Sequence, residues 1–135
     1  MSSPVVQRLL EAIGYPERAP EGAQSFMVRV DDGEVEVRAE AGRVLLSRAL
    51  ACVEENLPRL ASLAPGRMLR EEATLAAQPG PDGGAFLWQA APDTADARAL
   101  QRLFETFCDS CDWWLERVRE FSEPAPEIPP MMIRP

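Results

Sequence analysis

The spacing Cys108-Asp-Ser-Cys111 is the one string in this 135-residue chain that looks like a reactive motif. Two cysteines so spaced can form a redox pair when a helix N-terminus or a nearby cation lowers the thiol pKa. Here the pair lies inside a long segment of helical periodicity, far from the N-terminus of that helix. We therefore interpret both cysteines as small buried hydrophobic residues rather than as a redox centre.

Other kinds of chemical site are disfavoured by the residue types present. The chain has no histidine and a single tyrosine, Tyr15, for which we find no catalytic partner. A Ser-His-Asp triad is therefore excluded, and the commonest general base is missing. A structural zinc site needs about four ligands, and Cys52 could add only a third to the pair above. We expect no enzymatic activity, no small-molecule substrate, no metal and no cofactor.

Charge and hydropathy restrict the partners further. The sequence carries 22 acidic and 14 basic residues, a net charge of −8, which disfavours nucleic acid because phosphates are repelled. No stretch approaches the length of a membrane span, and the first residues lack the basic and apolar regions of a signal peptide. Three cysteines without such a signal suit a reducing compartment. We expect a cytoplasmic protein that binds neither membranes nor nucleic acids.

Hydrophobic periodicity and turn residues predict one α+β domain over residues 1–122, followed by a proline- and methionine-rich tail over 123–135. Helical and strand-like segments follow one another in the order α-β-β-β-α-β-β-α. This order predicts an antiparallel twisted sheet of about five strands, a three-strand meander plus a hairpin, packed with three helices. The predicted elements are a helix over Val5–Ile13, the meander over 25–50, a helix over Val53–Ala64, strands over Thr74–Gln78 and Ala85–Ala90, and a long helix from Asp93 or Thr94 to Phe121.

The meander has two tight turns, and these turns predict its register. Asp32-Gly33 is typical of a type I′ turn because both positions tolerate positive φ, and it pairs Val28 with Val37. Ala41-Gly42 forms the second turn and pairs Val37 with Leu46. A slip of one residue would bring arginine and glutamate into the core, so the buried face is strongly specified. That face carries Phe26, Val28, Val30, Val35, Val37, Ala39 and Leu46.

The opposite face of the meander is not purely polar. The same register places Met27, Arg38 and Leu45 side by side there, with Arg29 opposite Glu36. Single exposed apolar residues are ordinary, which is one interpretation of this row. The alternative is a surface that grips an extended chain by strand addition and by pocket filling. Four apolar side chains are candidates to lie outside the main core: Met27, Leu45, Leu87 and Trp113.

The order of elements and three local strings resemble the class I type III secretion chaperones of Gram-negative bacteria, the Tir-chaperone-like group. Leu9-Leu10-Glu-Ala-Ile13-Gly14 resembles the opening helix of that family. Phe26–Asp32 with Glu34–Glu40 is similar to its first hairpin, and Ala73-Thr74-Leu75-Ala76 is similar to the start of its fourth strand. The resemblance covers residues 5–121, which is nearly the whole chain.

The resemblance implies a cytoplasmic bacterial homodimer that serves virulence by binding a secreted effector. Such a chaperone holds the N-terminal segment of its effector as an extended chain and keeps it soluble and competent for secretion, without ATP or metal. The second helix and the strands after it form the dimer interface in the family. The corresponding residues are Leu57, Leu60, Leu63 and Leu75 for the dimer, and Val6, Leu10, Met27, Arg38 and Leu45 for effector binding.

Two other functions remain open at this point. An immunity or regulatory protein that masks a folded toxin or signalling partner would also be small and acidic. Such a protein requires a folded partner, whereas a chaperone binds an isolated and otherwise unfolded segment. A thiol enzyme built on Cys108 and Cys111 is the third possibility, and it would lose its activity when both are replaced by serine.

Overall fold

A computed structural model of the chain describes residues 4–31, 33–50, 58, 61–63, 65, 73–77 and 85–122. The α+β class and the predicted order of helices and strands are confirmed. Cys52 and the tail over 123–135 lie outside the described residues. The elements are α1 (Val5–Ala12), β1 (Ser25–Val30), β2 (Gly33–Glu40), β3 (Arg43–Leu50), α2 with helical residues at 58, 61–63 and 65, β4 (Thr74–Ala77), β5 (Ala85–Pro92) and α3 (Ala97–Ser122).

The five strands form a single antiparallel sheet in the order β1-β2-β3-β5-β4. The last strand of the hairpin, β5, pairs with β3 of the meander and so joins the two predicted units. Strands β1 and β4 are the edges of this sheet. Helices α1 and α3 contact each other and pack on one face of the sheet.

The turn predicted for the first hairpin is wrong, although the predicted core face is correct. Val28 pairs with Val35 rather than with Val37, and Val30 pairs with Gly33, so the ladder is displaced by two residues. Side chains alternate with a period of two, and a displacement of two therefore leaves every residue on its predicted face. Arg29 accordingly lies opposite Glu34, not opposite Glu36.

The second hairpin turn is confirmed. Val37 pairs with Leu46, as Ala41-Gly42 predicts. The backbone has φ of 50° at Ala41 and 79° at Gly42, which are the positive values that a type I′ turn requires at both central positions.

Gly33 has a different role from the one predicted, because it makes room for a buried arginine. A Cβ atom built on Gly33 would lie 2.6 Å from Nη2 of Arg48, so a larger residue would collide with the guanidinium. Arg48 pairs with Leu87 on β3–β5 and is only 8% exposed. A charged residue thus occupies the core face of the sheet, which the sequence analysis did not anticipate.

The core is built from the apolar side of α3, part of α1 and the predicted face of the meander. Leu87 is fully buried, so the prediction that it lies outside the core is wrong. Trp113, a candidate to lie outside the main core, is half-buried and packs against that core. The largest fully buried side chains are Trp114, Phe107, Leu9, Leu10, Leu46, Leu87, Leu100, Val6, Val28, Val35 and Val37.

Helix α3 begins later than predicted because the preceding residues are held in a turn. The amide of Asp93 donates to the carbonyl of Gly42 (3.0 Å), and the Arg8 guanidinium donates to the carbonyls of Asp93 and Ala95. The carboxylate of Asp96 then accepts the amide of Ala99 at 2.9 Å, which is the bond of an N-cap. The helix therefore starts at Ala97.

Candidate functional site

The predicted row on the outer face of the sheet is only partly brought together. Arg38 pairs directly with Leu45 on the adjacent strand, as predicted. Met27 lies opposite Glu36 and therefore diagonal to Arg38, because of the displaced register. Met27 is 47% exposed and is the one exposed large hydrophobic side chain among the described residues, whereas Leu45 is half-buried.

Arg38 is the arginine of this face that lies beside Leu45, and Arg29 and Arg43 lie on the same face. The guanidinium of Arg38 bonds the carboxylate of Glu36 at 2.9 Å, and the Ser47 hydroxyl donates to the other oxygen of Glu36 at 3.4 Å. The hydrogen bond to Glu36, followed by the charge of Glu36, raises the pKa of Arg38 above its ordinary value. An ion pair this exposed contributes little to stability. Both charges are therefore available to a partner at small cost.

Two aromatic residues of β5 extend the apolar part of this face. Trp88 pairs with Ser47 and Phe86 with Ala49, so both side chains share the face of Met27, and both are half-buried. The guanidinium carbon of Arg43 lies 6.0 Å from the centre of the Trp88 ring, in cation–π geometry. Neither Phe86 nor Trp88 is among the site residues predicted from the sequence.

The strand β5 illustrates why these aromatics were missed. Its alternation defines two sets of side chains but does not say which set faces the helices. Treating Leu87 as a surface residue assigned the sets in reverse. The pairing of Leu46 with Gln89 and of Leu75 with Leu87 decides the orientation, and that pairing depends on strands distant in sequence.

Two predicted effector-binding residues belong to the core. Val6 and Leu10 lie on the inner side of α1 and are fully buried, where they pack with the sheet and α3. They cannot contact a partner unless α1 moves, so Met27, Arg38 and Leu45 are the predicted effector-binding residues that a single chain leaves at least partly exposed.

The structure describes two of the four residues predicted to form the dimer interface. Leu57 and Leu60 lie outside the described residues. Leu63 of α2 and Leu75 of β4 are half-buried and pack against the core cluster.

The edge of β1 carries a contact that sequence reasoning did not find. The Tyr15 hydroxyl accepts a hydrogen bond from the main-chain N–H of Arg29 at 3.0 Å. The Tyr15 ring packs edge-on against Phe26, with centroids 5.9 Å apart and planes at 80°. The position of Tyr15 is set by the end of α1, where Gly14 has φ of 71° and the Tyr15 amide bonds the carbonyl of Leu10 at 2.9 Å.

A cleft of about 290 Å³ opens beside this contact. It lies between the loop after α1, the end of β1 and the first half of α3. Its walls are mainly apolar, with Arg29, Gln101 and Glu105 among the polar residues. The apolar lining consists of Ile13, Gly14, Tyr15, Pro16, Val28, Val30 and Phe104.

The two cysteines of α3 are not arranged for redox chemistry. Burial, followed by the charge of Asp112, raises the pKa of Cys108 to about 11, and the opposing influence of Arg48 is smaller. Cys111 is fully buried. A thiol with so high a pKa carries almost no thiolate at neutral pH, which is the form that reacts.

The described residues hold no group of three or more cysteine, aspartate or glutamate side chains suited to a metal ion. Nor does any helix in them combine the length and apolar character of a membrane span.

Several solved structures share this fold. The chain superposes on a chain of the HopA1–SchA chaperone–effector complex with a TM-score of 0.65 and 13% identity, covering 83% of this chain and 91% of that one. It superposes on a chain of the ExsC–ExsE complex with a TM-score of 0.65 and 15% identity, covering 91% and 93%. No protein-family model matches the sequence, and no curated protein matches it.

The same architecture occurs in a protein with a different description. YbjN from E. coli, described as a candidate transcription regulator, superposes with a TM-score of 0.67 and 10% identity, covering 84% of this chain and 88% of that one. At such identities the likeness establishes the fold alone. The function must be argued from the surface that this chain presents.

Proposed function

We propose that the protein is a type III secretion chaperone that binds the N-terminal segment of a secreted effector as an extended chain. The observation that carries the proposal is the shared architecture over 83% of this chain and 91% of a chain in a chaperone–effector complex. The resemblance of the opening helix and first hairpin in sequence points to the same class.

The outer face supports this proposal because it suits an extended and mainly apolar ligand. Met27 and Leu45 offer apolar contacts. The adjacent Arg38 offers a positive charge, and its ion pair with Glu36 is exposed to solvent. The free edge of β1 offers main-chain groups to a strand of the effector. Trp88 adds an aromatic contact on the same face.

The proposal includes a cytoplasmic homodimer in a Gram-negative bacterium, without enzymatic activity. The half-buried Leu63 and Leu75 suit a dimer interface that continues the core, together with Leu57 and Leu60. The raised pKa of Cys108 supports a role without thiol chemistry. Light scattering at micromolar concentration should give twice the mass of the 14.9 kDa chain, and a monomer would contradict this part.

The effector role is tested by copurification from the source bacterium and peptide mapping of the bound protein. The expected partner is a secreted protein held by its N-terminal segment, and that segment alone should bind as tightly as the whole effector. Binding that requires a folded partner would overturn the chaperone assignment.

The second candidate is a regulatory or immunity protein that masks a folded partner, and the likeness to YbjN favours it. The two functions differ in the state of the partner. Thermal denaturation of the partner before mixing should leave chaperone binding intact and should abolish the binding of a regulator to a folded surface.

A further inference from the structure

The main-chain groups of β1 alternate between β2 and the free edge. The carbonyl of Gln24 accepts the amide of Ala39 at 2.8 Å, so residues with even numbers bond β2. Ser25, Met27 and Arg29 therefore direct their N–H and C=O groups away from the sheet. Among the described residues, no group bonds the outward N–H of Ser25 or Met27, whereas that of Arg29 is bonded to Tyr15.

We propose that an extended segment of a partner protein pairs with the β1 edge at Ser25 and Met27, and that Tyr15 ends this pairing at Arg29. The inference rests on the proposed function and adds the boundary of the bound strand. An added strand that continued past Met27 would need the N–H of Arg29, which the Tyr15 hydroxyl already occupies. Tyr15 is thus a residue that determines the register of the partner.

The position of the hydroxyl is fixed from two sides. The C-terminal end of α1 holds the backbone of Tyr15, and the ring rests on Phe26. Releasing Arg29 therefore requires loss of the ring contact or movement of the loop. A partner strand that stops at Met27 therefore avoids the cost of breaking the hydrogen bond between Arg29 and Tyr15.

The occupant that fits is an extended segment that is neutral or basic, because the chain has a net charge of −8. Main-chain hydrogen bonds at an edge supply affinity without requiring a particular sequence, and neighbouring pockets supply the preference. The cleft beside Tyr15 lies where the pairing ends, and its walls include Ile13, Val30 and Phe104. An apolar side chain that follows the paired residues of the partner would enter it.

The first test uses the full chain and the substitution Tyr15→Phe, which removes the hydroxyl and keeps the ring against Phe26. Hydrogen exchange followed by NMR should show the Arg29 amide exchanging about two- to tenfold faster, the change expected for loss of one hydrogen bond. The matched control is Ser47→Ala, which removes a hydroxyl from the outer face and should leave Arg29 unchanged. Unchanged exchange of Arg29 in Tyr15→Phe overturns the proposal.

The second test adds a probe peptide of alternating threonine and valine with a lysine at each end and blocked termini. In the wild-type chain the peptide should slow the exchange of Ser25 and Met27 but not of Arg29. In Tyr15→Phe it should slow all three and bind about two- to tenfold more tightly. The same peptide with N-methyl groups on its bonding edge should not bind.

A second variant, Met27→Pro, tests the β1 edge directly and leaves the loop that carries Tyr15 unchanged. Its missing N–H points away from β2, so the sheet should be retained while the probe peptide is lost. Protection of Arg29 by the peptide in the wild-type chain would overturn the proposal. So would concentration-dependent protection of Ser25 and Met27 without peptide, because a second copy would then occupy the edge. Failure to recover an effector would leave these results unaffected and would bear only on the proposed function.

Discussion

Nη2 of Arg48 lies 2.6 Å from the position that a Cβ atom of residue 33 would occupy, and residue 33 is a glycine. The two residues come from different strands, β2 and β3, and their fit places a buried guanidinium in the core face of the sheet. This contact accounts for the glycine, because Gly33 does not have the positive φ that the predicted turn would require.

Substitution of Gly33 by alanine should destabilise the fold by about 1–3 kcal/mol, the usual effect of overpacking. The new methyl group would require the tip of the Arg48 side chain to shift, and the burial of that residue leaves the guanidinium little room to do so. Urea unfolding measures the change. In an Arg48→Met background the cost of Gly33→Ala should fall by about 1 kcal/mol or more, and additive effects would show that the two residues are not in contact.

The double substitution Met27→Glu and Leu45→Glu should leave the chain folded and weaken its partner at least about tenfold. Each replaced side chain offers apolar surface whose burial is worth about 1.5–3 kcal/mol at most, and a charge there must be desolvated on binding. Isothermal titration with the mapped effector segment measures the loss. Arg102→Glu, an exposed change on α3 away from the cleft that alters the net charge by the same amount, is the control. Unaltered affinity would mean that the partner binds elsewhere.

Cys108 should react with iodoacetamide at neutral pH about a hundredfold slower than a free cysteine. Its pKa is raised from 9.0 to about 11, which reduces the thiolate by about two powers of ten relative to an ordinary thiol. Labelling should become fast only as the pH approaches 11. Rapid labelling at pH 7 would show that the thiol is activated and would revive the redox interpretation.

The same shift makes stability depend on pH in alkaline solution. The folded chain binds the thiol proton more tightly than the unfolded chain, so the contribution of Cys108 is fully present below its ordinary pKa of 9.0 and is lost as the pH rises to about 11. The free energy of unfolding should therefore fall between pH 9 and 11. Cys108→Ser should fall less over the same range, and parallel curves for the two proteins would contradict the assignment.

Arg8→Met should destabilise the fold by about 1–3 kcal/mol. The Arg8 guanidinium donates to the carbonyls of Asp93 and Ala95, and its removal leaves these part-buried acceptors without a donor from α1. Thermal unfolding measures the change. Arg98→Met at an exposed position of α3 should shift the midpoint far less, and equal shifts would rule out a specific role for Arg8.

Alternation was sufficient to predict which face of the meander is buried, because Val28, Val35 and Val37 share a period of two with their neighbours. Alternation was insufficient to predict the register. The string Asp32-Gly33 is typical of a hairpin turn, but the glycine is also suited to a close approach by another side chain, and the sequence does not distinguish the two. The contact partner, Arg48, comes from another strand, and no local pattern reveals it.

Long-range pairing also limited the prediction of the site. The orientation of Leu87 and Trp88 depends on the insertion of β5 between β3 and β4. The bond from Arg29 to Tyr15 depends on the path of the loop after α1. Met27, whose exposure follows from alternation within the meander, was predicted correctly.

The insertion of β5 between β3 and β4 has a consequence for synthesis on the ribosome. The meander can form as soon as it emerges, but β3 then has an open edge until the whole stretch between Leu50 and Ala85 has been made. Its apolar face also lacks α3, which supplies Phe107 and Trp114 and is made after β5. The nascent chain must therefore pass through a long interval in which the open edge of β3 is prone to mispairing, and the core closes only after α3 has been made.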